Sequence, residues 1–252
     1  MLRLSFTTRD LARTRFAISP IWEVVASVRV LKAPGEHPVH LPWVDRVRPR
    51  IARARLDWRL LADLVPVPTR IIPAFTCPPP QIPAPDLDQE LATLVNTSPD
   101  QVRASLDRLP GPRPPRLAAL YDDPATGLAR LAEVIRDYWA VALGPYWSQM
   151  RALLEGDVRA RAHQVTVSGT QGVLNALDPS VRWADDSLFV AHRYVRGGTA
   201  LGGRGLLLVP SVFAWPRVFS VTGPDYQPTL RYPPRGVGQL WTSGPGTAGG
   251  SG

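Results

Sequence analysis

Apolar and polar residues alternate from Leu2 to Phe6, the period of a short half-buried strand. Asp10 to Phe16 reads as a helical turn. Ser19-Pro20 then starts a helix, with a hydroxyl N-cap, proline at the first helical position and Glu23 near the positive end of the dipole. Ile21, Val24, Val25, Val28 and Leu31 recur at helical spacing and form its predicted buried face, with Trp22 beside the stripe. A second helix runs from Pro42 to about Arg55 and a third from Asp57 to Leu64. Residues 66–85 are a proline-dense connector unable to pair as a central strand. Asp86 to Val95 and Ser98 to Leu109 read as a helical hairpin, the second helix opened by Ser98-Pro99-Asp100-Gln101. Pro110 to Pro115 forms a further breaker. Two longer helices follow, from Asp123-Pro124 to about Leu143 and from Tyr146 to about Val165, and a short one runs to Leu177. Beyond it the period shortens. Val181 to Trp183, Leu188 to Val190, Leu206 to Val209, Val218 to Val221 and Thr229 to Tyr232 are short β-like runs between Asp, Gly and Pro turns. The expected fold is α+β: a mainly helical part over about 1–177 and a small antiparallel sheet over about 178–241, sharing one core as a single module. Residues 242–252 carry almost no side chain to bury and read as a disordered tail.

Composition narrows this little. The 252 residues are 44% hydrophobic and include eight Trp, enough for a real core. No apolar run approaches the ~20 residues of a membrane helix, and the N-terminus lacks a secretory signal. The single cysteine, Cys77, rules out an internal disulfide and fits a reducing cytoplasm. Charge is more informative. Residues 1–60 hold 12 Arg or Lys against 5 Asp or Glu, and so carry nearly all of the net +8. On the helix from Pro42, Arg46, Arg50 and Arg53 share one side and are candidates for phosphate contact. The plainer reading is an arginine-rich solvated surface.

Catalytic chemistry finds no frame. Ser168 has Thr166 two residues before it, and Ser211 sits between Pro210 and Val212, so neither forms a nucleophile elbow. His37 and His40 flank Pro38 with no third ligand nearby, while His163, His192 and Cys77 are isolated. The pairs Asp122-Asp123 and Asp185-Asp186 read as caps and turns. Gly202-Gly203-Arg204-Gly205 precedes a strand rather than following one, so it reads as a turn that needs positive φ, not as a dinucleotide fingerprint. Arg204 is expected to pair within the protein or with an acidic ligand. The helices at 86–109 have the size of a helix-turn-helix, yet their charge is mixed and they lie in the balanced part of the chain. We expect no enzyme, no metal and no cofactor.

Four boxes carry a resemblance: Arg13 to Glu23, His40-Leu-Pro-Trp43, Leu201 to Arg217, and Tyr232 to Trp241. Together they resemble the N-terminal regulatory-type region of actinobacterial ArsR-like winged-helix transcription regulators. The resemblance implies a regulatory or dimerisation module in transcription, as a homodimer, with a small-molecule effector as a further partner. It also implies a winged helix soon after the last box. The sequence ends before one, so DNA would be held by a winged helix elsewhere or on a partner. The alternative is a small-ligand sensor with an aromatic pocket and no DNA binding. Trp22, Arg204, Phe213 and Trp215 are its candidate ligand or interface residues.

Overall fold

In the computed structural model, residues 1–241 are described, and the predicted tail at 242–252 lies outside them. The alternating N-terminus forms β1 (Leu2–Ser5), followed by α1 (Thr8–Ala12) and the two-residue β2 (Arg15–Phe16). Then come α2 (Pro20–Lys32), α3 (Leu41–Arg53), α4 (Arg59–Asp63), α5 (Leu87–Val95), α6 (Pro99–Leu106), α7 (Pro115–Asp122) and α8 (Pro124–Tyr138). A π-helical turn, Trp139–Leu143, and a 3-10 turn, Gly144–Tyr146, lead into α9 (Trp147–Asn175), which breaks at Gly169, where φ is +68°. Strands β3 (Val181–Ala184), β4 (Ser187–Val190), β5 (Gly197–Ala200), β6 (Leu207–Pro210), β7 (Phe219–Val221) and β8 (Thr229–Tyr232) follow among the described residues.

The α+β class holds, but the strands depart from a single antiparallel sheet. They form two four-stranded sheets, ordered β3-β4-β1-β5 and β2-β6-β8-β7. Both are mixed: β1 runs parallel to β5 and antiparallel to β4, while β6 runs parallel to β2 and β8. The N-terminal segment is therefore not purely helical, because β1 is an interior strand of one sheet and β2 an edge of the other. Leu2, Leu4, Leu188, Leu206, Leu208 and Leu230 put the buried sides of both sheets into one apolar cluster, capped by Val173 and Leu174 of α9.

The larger cluster surrounds α2, whose residues are buried from Pro20 to Leu31. A helix apolar on one stripe would leave a wet face. This one is packed by α3, α4, α5, α8 and the turn at Val212–Ala214. Its polar residues must therefore find partners inside the protein. Ser27 does so by bonding the Tyr138 hydroxyl at 2.9 Å. The helices are tied to the second sheet by a buried pair on the stripe Met150, Leu154, Asp157, Arg161 of α9. Asp157 Oδ2 accepts from Arg161 Nε at 2.9 Å and from the Tyr232 hydroxyl at 2.8 Å.

The glycine turn has the predicted backbone, with Gly202, Gly203 and Gly205 at φ of +64°, +79° and +73°. Gly205 also donates its N–H to Asp10 Oδ1 at 2.9 Å, which fixes the turn on α1.

Candidate functional site

The start of α2 anchors a buried polar network. Ser19 caps the helix by accepting from Trp22 N–H at 3.2 Å, and its hydroxyl donates to Glu90 Oε1 at 2.6 Å. Glu90, from α5, takes the Ile21 N–H on its other oxygen at 2.7 Å. A carboxyl group from a second helix thus satisfies donors that the first turn of α2 leaves open. One turn on, Glu23 accepts the N–H groups of Val212 and Phe213 at 2.9 and 3.2 Å. Arg29 holds the same segment by its other polarity, donating Nη2 to the Phe213 carbonyl at 2.6 Å and reaching the Ala214 carbonyl at 3.3 Å. Arg231 lies over the Trp22 ring at 4.2 Å and donates to the Cys77 carbonyl at 2.6 Å.

Burial sets the protonation of this network. It pushes Glu90 up to about 8 and Glu23 up to about 7, with hydrogen bonds pulling the other way. Burial likewise holds His37 down to about 4 and His40 down to about 3, helped by the Arg29 charge. A carboxyl raised in the folded state stabilises it below the unfolded value of 4.5 and loses that contribution as pH climbs through 7 and 8. A depressed histidine contributes above its unfolded value of 6.5 and loses it as pH falls toward 4 and 3. The two effects nearly cancel at about pH 5 to 6. Stability is expected to peak there and to fall by on the order of 2 kcal/mol from about pH 6 to 8. Melting in a pH series checks this. A curve that stays flat above pH 6 would count against neutral Glu23 and Glu90.

At the start of α5 lies an open cleft of about 510 Å³. Asp86 to Gln89 at the start of α5 form one wall, Ile18 the back, and Arg136, Trp139, Trp147 and Arg151 the other wall. The π-helical turn redirects the chain after α8, a distortion that often marks functional positions. It sets Trp139 edge-on to Trp147, with ring centroids 5.0 Å apart. Gly144 leaves room for this, since a Cβ there would lie 3.2 Å from the Trp139 carbonyl oxygen. The rim is ionic: Arg136 meets Asp88 at 2.9 Å and Arg151 meets Glu155 at 2.7 Å. A smaller recess of about 190 Å³, under the Pro78–Ile82 strap, shares Pro85 and Gln89 and reaches Glu90 itself.

The residues singled out from the sequence do not meet in this cleft. Trp22 and Phe213 are 1% and 0% exposed and belong to the core, because α2 is packed on every side. Phe213 stacks among His40, Trp43 and Trp241. Arg204 is spent on three backbone carbonyls, those of Leu201, Pro224 and Tyr226. Trp215 is half-buried near His40. On α3, Arg46 is half-buried and reaches the Trp241 carbonyl at 3.4 Å, Arg50 lies over the Tyr146 ring, and Arg53 is exposed. His40 accepts from Trp241 Nε1 at 3.0 Å. Among the described residues there is no group of three or more His, Cys, Asp or Glu able to hold a metal.

Glu90 escaped the sequence reading although it carried a signal. It falls on the apolar stripe Leu87, Leu91, Leu94 of α5, where an acid must have an internal partner. The cleft carried none, since its lining comes from three segments far apart in the chain.

The profile of DUF5937, a family of unknown function, matches residues 110–237. The chain belongs to that family. The matched stretch supplies Trp139, Trp147, Arg136 and Arg151 to the cleft, while the opposite wall and α2 precede it. No curated protein and no solved structure matches the chain.

Proposed function

We propose that the chain is the regulatory or dimerisation module of an ArsR-like transcription regulator, acting as a homodimer, with the Trp139–Trp147 cleft as its effector site. DNA would be gripped by a winged helix outside residues 1–241. The family resemblance of the four boxes supports the regulatory half of this reading. The effector half rests on one observation: two tryptophans meet edge-on in an open cleft whose rim carries guanidinium and carboxylate groups. Such walls suit a flat apolar ligand bearing an anionic group. The paired acids keep Arg136 and Arg151 in place until a ligand carboxylate replaces them.

An anilinonaphthalene sulfonate dye, followed by its fluorescence, tests the site. Binding is expected, and Trp139→Ala or Trp147→Ala should weaken it about tenfold or more, with circular dichroism checking that each variant keeps its fold. Equal binding by both variants would remove the cleft from the reading. A sensor with no role in DNA binding would use the same cleft. The two readings part on whether ligand binding changes the dimer, which sedimentation with and without dye measures.

A further inference from the structure

The outward side of the β3-β4-β1-β5 sheet faces away from the shared core and has a different chemistry. Arg182, Phe189 and Arg3 are register partners across three adjacent strands, and Gly198 continues the row. Both guanidiniums flank the half-buried Phe189 ring, at 4.9 Å for Arg182 and 5.9 Å for Arg3. The next row is small: Ala184, Ser187, Ser5 and Ala200. At the end where the chain leaves β4, the pattern repeats. Tyr194, 37% exposed, has Arg70 at 5.6 Å on its ring and Arg193 at 5.3 Å, with Arg196 close by in sequence. Arg3, Arg70, Arg182, Arg193 and Arg196 are all exposed, and none has an ion-pair partner among the described residues. The acids of this sheet, Asp185 and Asp186, sit at the β3-β4 turn, the opposite end of the strands.

Arginines without ion pairs flank two rings here, the half-buried Phe189 and the exposed Tyr194. Here the positive charge is left for a polyanion, and the spacing of the rows suits a strand laid across the sheet. Arg182 and Arg3 lie two strand spacings apart, about 10 Å. Rings and guanidinium planes offer stacking to unpaired bases, and the glycines of β5 leave the surface bare beside Arg3. A duplex hides its bases and would use only the charge.

We propose that this sheet face binds single-stranded nucleic acid, with Arg3, Arg182, Arg193 and Arg196 on phosphates and Phe189 and Tyr194 on bases. The site is separate from the Trp139–Trp147 cleft and does not depend on its ligand.

The test is fluorescence anisotropy with a labelled oligothymidylate of about twelve nucleotides, a duplex of the same length and phosphatidylserine vesicles, each over a salt series. The single strand is expected to bind tighter than the duplex. Phe189→Ala should weaken it about tenfold, and Arg3→Gln with Arg182→Gln should reduce the slope of log affinity on log salt by about 1.4. Arg108→Gln, an exposed arginine just after α6, should change nothing. These side chains point outward, so melting should stay near that of the parent. If Phe189→Ala unfolds the sheet, Tyr194→Ala in the exposed loop carries the stacking test. Equal binding of duplex, strand and vesicle with no effect of either aromatic variant would reduce the face to a general polyanion surface and overturn the proposal. Loss of binding in Arg108→Gln alone, or no binding at low salt, would overturn it too.

Discussion

Phe213→Ala is expected to lower the unfolding free energy by about 3–5 kcal/mol. The side chain is fully buried, 4.6 Å from the Trp43 ring and 4.9 Å from the His40 ring, measured between centroids. Its backbone is held on both polarities, the N–H by Glu23 and the carbonyl by Arg29. A clamped segment cannot settle into the space that the ring leaves, so the cavity persists and the cost lies at the upper end for its type. Urea unfolding reads the loss directly. A variant as stable as the parent would mean that Phe213 is dispensable to the core and would return it to the ligand surface suggested by its place in the 201–217 box.

The second large effect is at Gly205. Its φ is +73°, and a Cβ there would lie 2.5 Å from the Arg13 carbonyl oxygen, which is backbone and cannot step aside. Gly205→Ala is expected to cost about 2–5 kcal/mol, from left-handed strain plus the clash. Gly202 supplies the comparison. Its φ is +64°, but nothing lies within 4 Å of its would-be Cβ. Gly202→Ala should therefore lose only about 1 kcal/mol. Thermal melting of the two variants side by side separates steric approach from backbone preference. Equal losses would mean that the approach of Arg13 contributes nothing.

Local chemistry was legible wherever one segment decides the outcome. Ser19-Pro20, Ser98-Pro99 and Asp123-Pro124 each open a helix as read, because cap and proline act within four residues. The glycines at 202–205 declared their turn for the same reason. What the sequence hid was pairing at a distance. β5 is Gly-Gly-Thr-Ala, with no apolar alternation and a single β-branched residue, and it is a strand only because β1 offers it an edge. β2 is two residues long and exists by virtue of β6. Mixed sheets followed, since no local pattern tells a parallel partner from an antiparallel one. The site shows the same divide. Glu23 reads as a dipole partner for its own helix, yet its oxygens are used by Val212 and Phe213, nearly two hundred positions away. The cleft needed Ile18, the start of α5 and the turn after α8 brought to one place, and only the packing of α2 against α5 and α8 does that.

The place of β1 has a consequence in time. Its neighbours are residues 187–190 and 197–200, so it is interior to a sheet whose other strands are made long after it. At about 5–20 residues per second of synthesis, the segment around Leu2 and Leu4 waits roughly 10–40 seconds before either neighbour leaves the ribosome. The helices around α2 can collapse in that interval, but the first strand cannot. During translation β1 is thus made long before its neighbours, and it settles only after they have emerged.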